Sequence, residues 1–194
     1  MYTLLQKKTI EKAEYLEALY IPENPKQTLI LLPFAGGGAE AYSNFVLSLK
    51  NANNNIAVYF IRYLHSKQEC KNAANEIADF FKNTEILFYS HCVGSAVALN
   101  IISYLEEANI PIKHYFASAS IPPAKKVNKN TWNYIPDSIL KRTLLNAGAK
   151  FDKLSNKDIS LRLKQFRKDT DFAVNAFSEF GIKITVPVSV IISK

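Results

Sequence analysis

Phe88-Tyr89-Ser90-His91-Cys92-Val93-Gly94-Ser95-Ala96 joins two patterns of different period. Residues 86–89 form a short apolar and aromatic run suited to a buried strand. Ala96, Val97, Ala98, Leu99, Ile101 and Ile102 then open a helix-forming stretch with no Pro or Gly before Pro111. A strand that gives way to a helix within so few residues must turn sharply, and the turn lifts one side chain clear of the strand end. That side chain is Cys92. A free cysteine is ordinarily a small buried hydrophobe, so its place on the turn, rather than its residue type, makes Cys92 a candidate nucleophile. Gly94 supplies the small residue required where the helix passes close to the strands.

A second junction lies upstream. Residues 29–32 read as a buried strand and run into Pro33-Phe34-Ala35-Gly36-Gly37-Gly38-Ala39-Glu40-Ala41-Tyr42, a glycine loop followed by an amphipathic stretch over 42–49. Further strands are expected at 56–61, 114–119 and 186–192, with helices between them. This is the alternation of an α/β fold with a mainly parallel sheet and flanking helices, here a single domain over 1–194. The interval 121–180 lacks strand patterning. After Pro122-Pro123 it shows helical spacing at Ile159, Leu163 and Phe166, which predicts a helical lid inserted over the strand ends. Residues 1–20, with mixed apolar spacing, suit a helix or a poorly paired edge. No repeat, low-complexity tract or Gly/Ser linker interrupts the chain.

The two junctions resemble those of the α/β-hydrolases. Their nucleophile elbow, G-x-S-x-G, sits on a strained strand-to-helix turn, and an earlier strand–loop junction supplies part of the oxyanion hole. Ser90 stands at the first glycine position, Cys92 at the nucleophile and Gly94 at the second small position. More narrowly, the chain is similar to the type II thioesterases of nonribosomal peptide and polyketide assembly lines, with their P-[HFW]-A-G-G loop and G-H-S-M-G elbow. Arg167-Lys168-Asp169-Thr170-Asp171-Phe172, followed by Phe177, resembles the R-x-D-F segment that closes the family's lid. Residues 185–192 resemble the strand after it. The resemblance implies an oxyanion hole built from the backbone N–H groups of Ala35 and Val93, with Cys92 as the acylated nucleophile. The implied substrate is an acyl or peptidyl thioester on the phosphopantetheine arm of a carrier protein; no cofactor is implied.

Three departures accompany the resemblance. The family's serine is Cys92, its P-G-R after the second matched strand is replaced by Tyr63-Leu64-His65, and its catalytic Asp and His lie beyond the strand ending here at Ile192. On this reading the hydrolase fold is C-terminally incomplete, and the missing acid and base are expected from a further C-terminal segment or a second chain. A helix N-terminus near Gly94 is expected to lower the Cys92 thiol pKa, so that attack on a thioester needs little help. Hydrolysis of the acyl-cysteine needs a positioned base. By strand alternation His91 should point away from the pocket, and His114 begins its strand far from the elbow. His65 lies at the correct sheet edge, two strand positions away, and is the remaining candidate base.

A chain of 194 residues, 48% hydrophobic, can bury one substantial core. Its net charge of +7 is scattered (Lys125, Lys126, Lys129; Lys164, Arg167, Lys168). Without an RNA-binding motif, this argues for solvated faces rather than nucleic acid, and secondarily for docking of an acidic carrier protein. Two cysteines make no disulfide framework, no signal segment opens the chain, and the longest apolar run falls far short of the roughly 20 residues that span a bilayer. A reducing cytoplasm and no membrane partner are therefore expected. The Cys and His spacing suits no metal. Gly36-Gly37-Gly38-Ala39-Glu40-Ala41 also satisfies G-x-G-x-x-A, with Arg62 near the next strand end, so a dinucleotide-binding domain is the rival fold reading. It leaves the Cys92 turn unexplained. A P-loop is excluded because no Gly-Lys-Ser/Thr follows the glycines. Two other functions remain within the hydrolase reading: an acyltransferase using Cys92, and a non-catalytic binding module.

Overall fold

The computed structural model describes residues 13–52, 55–62, 64–120, 131–152, 154–178 and 182–192. Six strands form one sheet: β1 (Leu16–Tyr20), β2 (Gln27–Leu32), β3 (Ile56–Ile61), β4 (Glu85–His91), β5 (Ile112–Ser118) and β6 (Val188–Ile191). Their order is β1-β3-β2-β4-β5-β6. Only β1 runs antiparallel to its neighbour; all other pairings are parallel. The described residues hold the helices α1 (Ser43–Asn51), α2 (Lys67–Phe80), α3 (Gly94–Glu107), α4 (Asp137–Asn146) and α5 (Asn156–Ser178).

β2 and β3 read as continuous apolar runs because both faces of the sheet are covered there. In β2, Ile30 and Leu32 face the core formed with α2, α3 and the C-terminal part of α5, including Ile77, Ile101 and Phe172. Leu29 and Leu31 face the opposite way, toward Tyr42 and the α1 residues Val46 and Leu49. Carboxylates pin the sheet's outer strands. Glu76 on α2 accepts the backbone N–H groups of Glu14, Tyr15 and Leu16, and Glu106 on α3 accepts those of Thr185 and Val186.

Of the two expectations for residues 1–20, the edge strand is the observed one for 16–20; residues 1–12 lie outside the described residues. β4 continues two residues past the expected 86–89, because Ser90 and His91 stay in the ladder opposite Ala117 and Ser118. β5 begins two residues before the expected 114. The described part of 121–180 is helical: a 3-10 turn (Thr131–Tyr134), α4 and α5. Leu140, Ile159 and Leu163 form its own small core with Trp132, Phe151 and Phe166. Residues 121–130, and with them Lys125, Lys126 and Lys129, lie outside the described residues. Arg167 is not a solvated charge. Its guanidinium donates to the carbonyls of Trp132 and Ile135 and pairs with Asp137, fastening the 3-10 turn and the start of α4 to α5.

Candidate active site

β4 is a central strand, flanked by β2 and β5, and Cys92 follows its last residue at the C-terminal edge of the parallel strands. The backbone of Cys92 is left-handed, with φ 54°, a conformation that costs a non-glycine residue about 1–3 kcal/mol. The surroundings hold it there. Its N–H donates to Ser118 O at 2.9 Å, while its carbonyl accepts from Ser95 N–H at 3.2 Å and Ser95 Oγ at 2.7 Å. Ser90 can replace the elbow's first glycine because its buried hydroxyl has a partner, the Tyr115 hydroxyl at 2.7 Å. Gly94 has no such latitude. A Cβ there would lie 2.5 Å from Pro33 O and 2.8 Å from Leu32 O, so α3 crosses the end of β2 in direct backbone contact.

The glycine loop and the elbow share one cleft of about 850 Å³, within the range of small-molecule sites. Ala35, Gly36, His91 and Cys92 line it together with Leu144, Phe151, Leu154 and Phe166 from the helical segment. Gly36 N–H donates to Asp169 Oδ2 at 2.8 Å and Gly37 N–H to Phe34 O at 2.9 Å. No acceptor among the described residues takes the Ala35 N–H. Val93 is the N-cap residue of α3, and its backbone N–H lowers the Cys92 thiol pKa against the effect of burial. The arrangement puts Ala35 and Cys92 in the lining of the same cleft. It does not suit pyrophosphate, because the carboxylate of Asp169 already occupies the Gly36 N–H, and the loop leads into a 3-10 turn rather than directly into a helix.

Three sequence expectations need correction. The Cys92 thiol is not activated by its helix terminus: burial raises its pKa above the ordinary thiol value, and the Val93 N–H opposes this only in part. His91 does not point away. The left-handed turn at Cys92 breaks the strand's alternation, and His91 lines the cleft, edge-on to Phe34 with ring centroids 5.8 Å apart. Its Nδ1 lies 3.3 Å from Ser118 Oγ, and burial lowers its pKa, so the ring is neutral at pH 7. His65 does not join the cleft lining. Its Nε2 lies 2.9 Å from Asp169 Oδ1, and its backbone N–H is held by Glu69 Oε2 at the start of α2. No imidazole among the described residues hydrogen-bonds to the Cys92 sulfur. His114 bonds to Ser189 Oγ at 2.9 Å between β5 and β6, a structural role.

Cys70 is fully buried on α2, and burial pushes its thiol up to about 12. Iodoacetamide is therefore expected to alkylate Cys92 and spare Cys70. Because Cys92 titrates above the ordinary thiol range, its alkylation rate should rise about tenfold per pH unit between pH 7 and 9 as the thiolate fraction grows. Peptide mass spectrometry across that range checks both points. A plateau below pH 8, or label on Cys70 first, contradicts the site.

A left-handed elbow over a mostly parallel six-stranded sheet, facing a glycine loop across a cleft, defines an α/β-hydrolase arrangement. A family model described as Thioesterase domain matches residues 27–176, well over half the chain, and the chain belongs to that family. Among solved structures it is similar to YbtT, a type II thioesterase from the yersiniabactin NRPS/PKS biosynthetic pathway, with TM-score 0.75, 18% identity and coverage of 92% of this chain and 78% of that one. It is also similar to the RedJ thioesterase of the prodiginine pathway in Streptomyces coelicolor (TM-score 0.71, 16% identity, 90% and 76% covered). Human thioesterase 2 is a further neighbour, at TM-score 0.63 and 17% identity, with 86% and 73% covered. At these identities the likeness is one of fold. No curated protein sequence matches the chain. No helix among the described residues is long and apolar enough to cross a membrane.

Proposed function

We propose that the chain acts on acyl or peptidyl thioesters of carrier proteins through an acyl-enzyme at Cys92. The observation that carries this reading is the left-handed Cys92 in one cleft with Ala35, beside the Val93 N–H. The Cys92 sulfur attacks the thioester carbonyl, and the Ala35 and Val93 N–H groups stabilise the tetrahedral oxyanion. The carbon–sulfur bond to the pantetheine arm then breaks, and that sulfur leaves with the proton given up by Cys92. Water completes the cycle by attacking the acyl-cysteine, releasing a carboxylic acid and the free thiol. The apolar residues Leu144, Phe151, Leu154 and Phe166 suit an acyl chain, and a cleft open to solvent suits substrate delivered on a tethered arm.

The first step exchanges one thioester for another and asks little of a base. The second asks for activated water, and the Cys92 sulfur has no imidazole partner among the described residues. Incubation with a short acyl-pantetheine thioester should therefore give a mass adduct on Cys92 that forms faster than it is lost. Added amine separates acyl transfer from stalled hydrolysis, because only an acyltransferase discharges to it quickly and selectively. Absence of any adduct would favour a binding module. Rapid hydrolysis would show that a base reaches the acyl group, and His91, rather than His65, is then the side chain to replace.

A further inference from the structure

Gly36 is held from both ends by side chains of one helix. Its N–H donates to Asp169 Oδ2 at 2.8 Å, and its carbonyl accepts from Arg162 Nη1 at 2.9 Å. Its φ of +71° is one that glycine adopts readily, and a Cβ at this position would lie 3.4 Å from Arg162 O and 3.5 Å from Phe166 Cβ, so the loop backbone rests directly on α5. Arg162, Phe166 and Asp169 follow at spacings of four and three, which puts them on one face of that helix. Each clasping side chain is itself anchored. Arg162 also pairs with Glu40, beyond the loop, and Asp169 Oδ1 accepts from Gln165 Nε2 at 2.7 Å and meets His65 Nε2 at 2.9 Å. Within the loop, Gly37 N–H donates to Phe34 O at 2.9 Å, closing a turn over 34–37 and holding the Phe34–Ala35 peptide, which carries the Ala35 N–H, to Gly37.

We infer that Asp169 and Arg162 are positioning residues: by clamping Gly36 onto α5 they set the direction in which the neighbouring Ala35 N–H faces Cys92. This rests on the reading of Cys92 and Ala35 given above. The grip on Gly36 fixes the Ala35–Gly36 and Gly36–Gly37 peptides on α5, and the Gly37–Phe34 bond ties the Phe34–Ala35 peptide to them, so the turn is held as one unit and the Ala35 N–H is a preorganised donor at no cost during reaction. It also makes α5, whose Phe166 lines the cleft, the support of the oxyanion donor.

The test uses Asp169→Ala, Asp169→Asn and Arg162→Ala in the full 194-residue chain, with three readouts. Hydrogen exchange of the peptide covering 34–38 reports the clamp itself. Acylation of Cys92 by a short acyl-pantetheine thioester needs the oxyanion hole, whereas alkylation by iodoacetamide needs only an accessible sulfur. Asp169→Ala and Arg162→Ala should speed exchange at the loop and slow acylation about tenfold or more, with alkylation changed less than about twofold. Asp169→Asn, which keeps an acceptor for the Gly36 N–H, should recover most of the acylation. Unchanged loop exchange overturns the clamp. Equal losses of acylation and alkylation overturn the positioning role in favour of a general structural one. Loop exchange that responds as expected in a protein whose wild type takes up no acyl group supports the clamp and overturns the reaction assigned to Cys92.

Discussion

Cys92→Ser is expected to lose acylation by about a thousandfold or more, even though serine is the residue the elbow pattern ordinarily carries. A thiol forms its reactive anion far more readily than an alcohol, even though burial raises its pKa here. An alcohol does not, and depends on a base hydrogen-bonded to the hydroxyl, a contribution of about 10²–10⁴. No imidazole among the described residues hydrogen-bonds at position 92; His65 is engaged by Asp169, and His91 lies in the cleft with Nδ1 turned to Ser118. The substitution is nearly isosteric, so the left-handed turn should survive it and thermal stability should change little. Intact mass after incubation with an acyl-pantetheine thioester gives the answer. Serine acylation within tenfold of wild type would mean that a base does reach position 92 in this chain, and His91→Ala would identify it.

The inner strands β2 and β3 are legible because they are buried on both faces. Runs such as 29–32 and 56–61 have no alternation to misread, and the glycine loop and Gly94 mark where two of them end. The limits of β4 were less so. Ser90 and His91 are polar and look like turn residues, yet Tyr115 and Ser118 satisfy their side chains and keep them in the ladder. Those partners lie about 25 residues away in sequence, beyond any local pattern.

The position of Cys92 could be read from the sequence, but its electrostatics could not. A helix start nearby suggested a lowered thiol pKa, whereas the sign is set by how much water the fold removes, and that is not written in a pentapeptide. His91 was misplaced for a related reason: alternation holds only while the backbone stays extended, and the left-handed residue is its immediate neighbour. Asp169 was passed over as part of a family-like segment. The structure resolves that segment into separate tasks, with Arg167 fastening the 3-10 turn, Asp169 holding Gly36 and Phe172 entering the main core. An acid on the buried side of an amphipathic helix was the available signal.

Gly94→Ala is expected to be costly in both stability and acylation, for one geometric cause. Gly94 does not have a positive φ, and in an exposed helix alanine would be the better residue by about 1 kcal/mol. Here the added methyl would meet Pro33 O at 2.5 Å and Leu32 O at 2.8 Å, backbone atoms that cannot rotate aside. Overpacking of this kind costs about 1–3 kcal/mol, equivalent to a fall of roughly 2–12 °C in Tm for a domain of this size. Relief requires α3 to move off the end of β2 or the strand end to retreat. Either movement acts on the site, because Val93 immediately precedes Gly94 and Ala35 lies two residues beyond Pro33. The two proposed donors would separate, and loss of one such donor lowers rates by about a hundredfold. Thermal melting and acyl-adduct formation, measured on the same preparation, test the link. Iodoacetamide alkylation should remain close to wild type, since the sulfur stays accessible. A variant that melts and acylates like the wild type would show that α3 does not pack on β2 as described, and the proposed oxyanion hole would lose its scaffold.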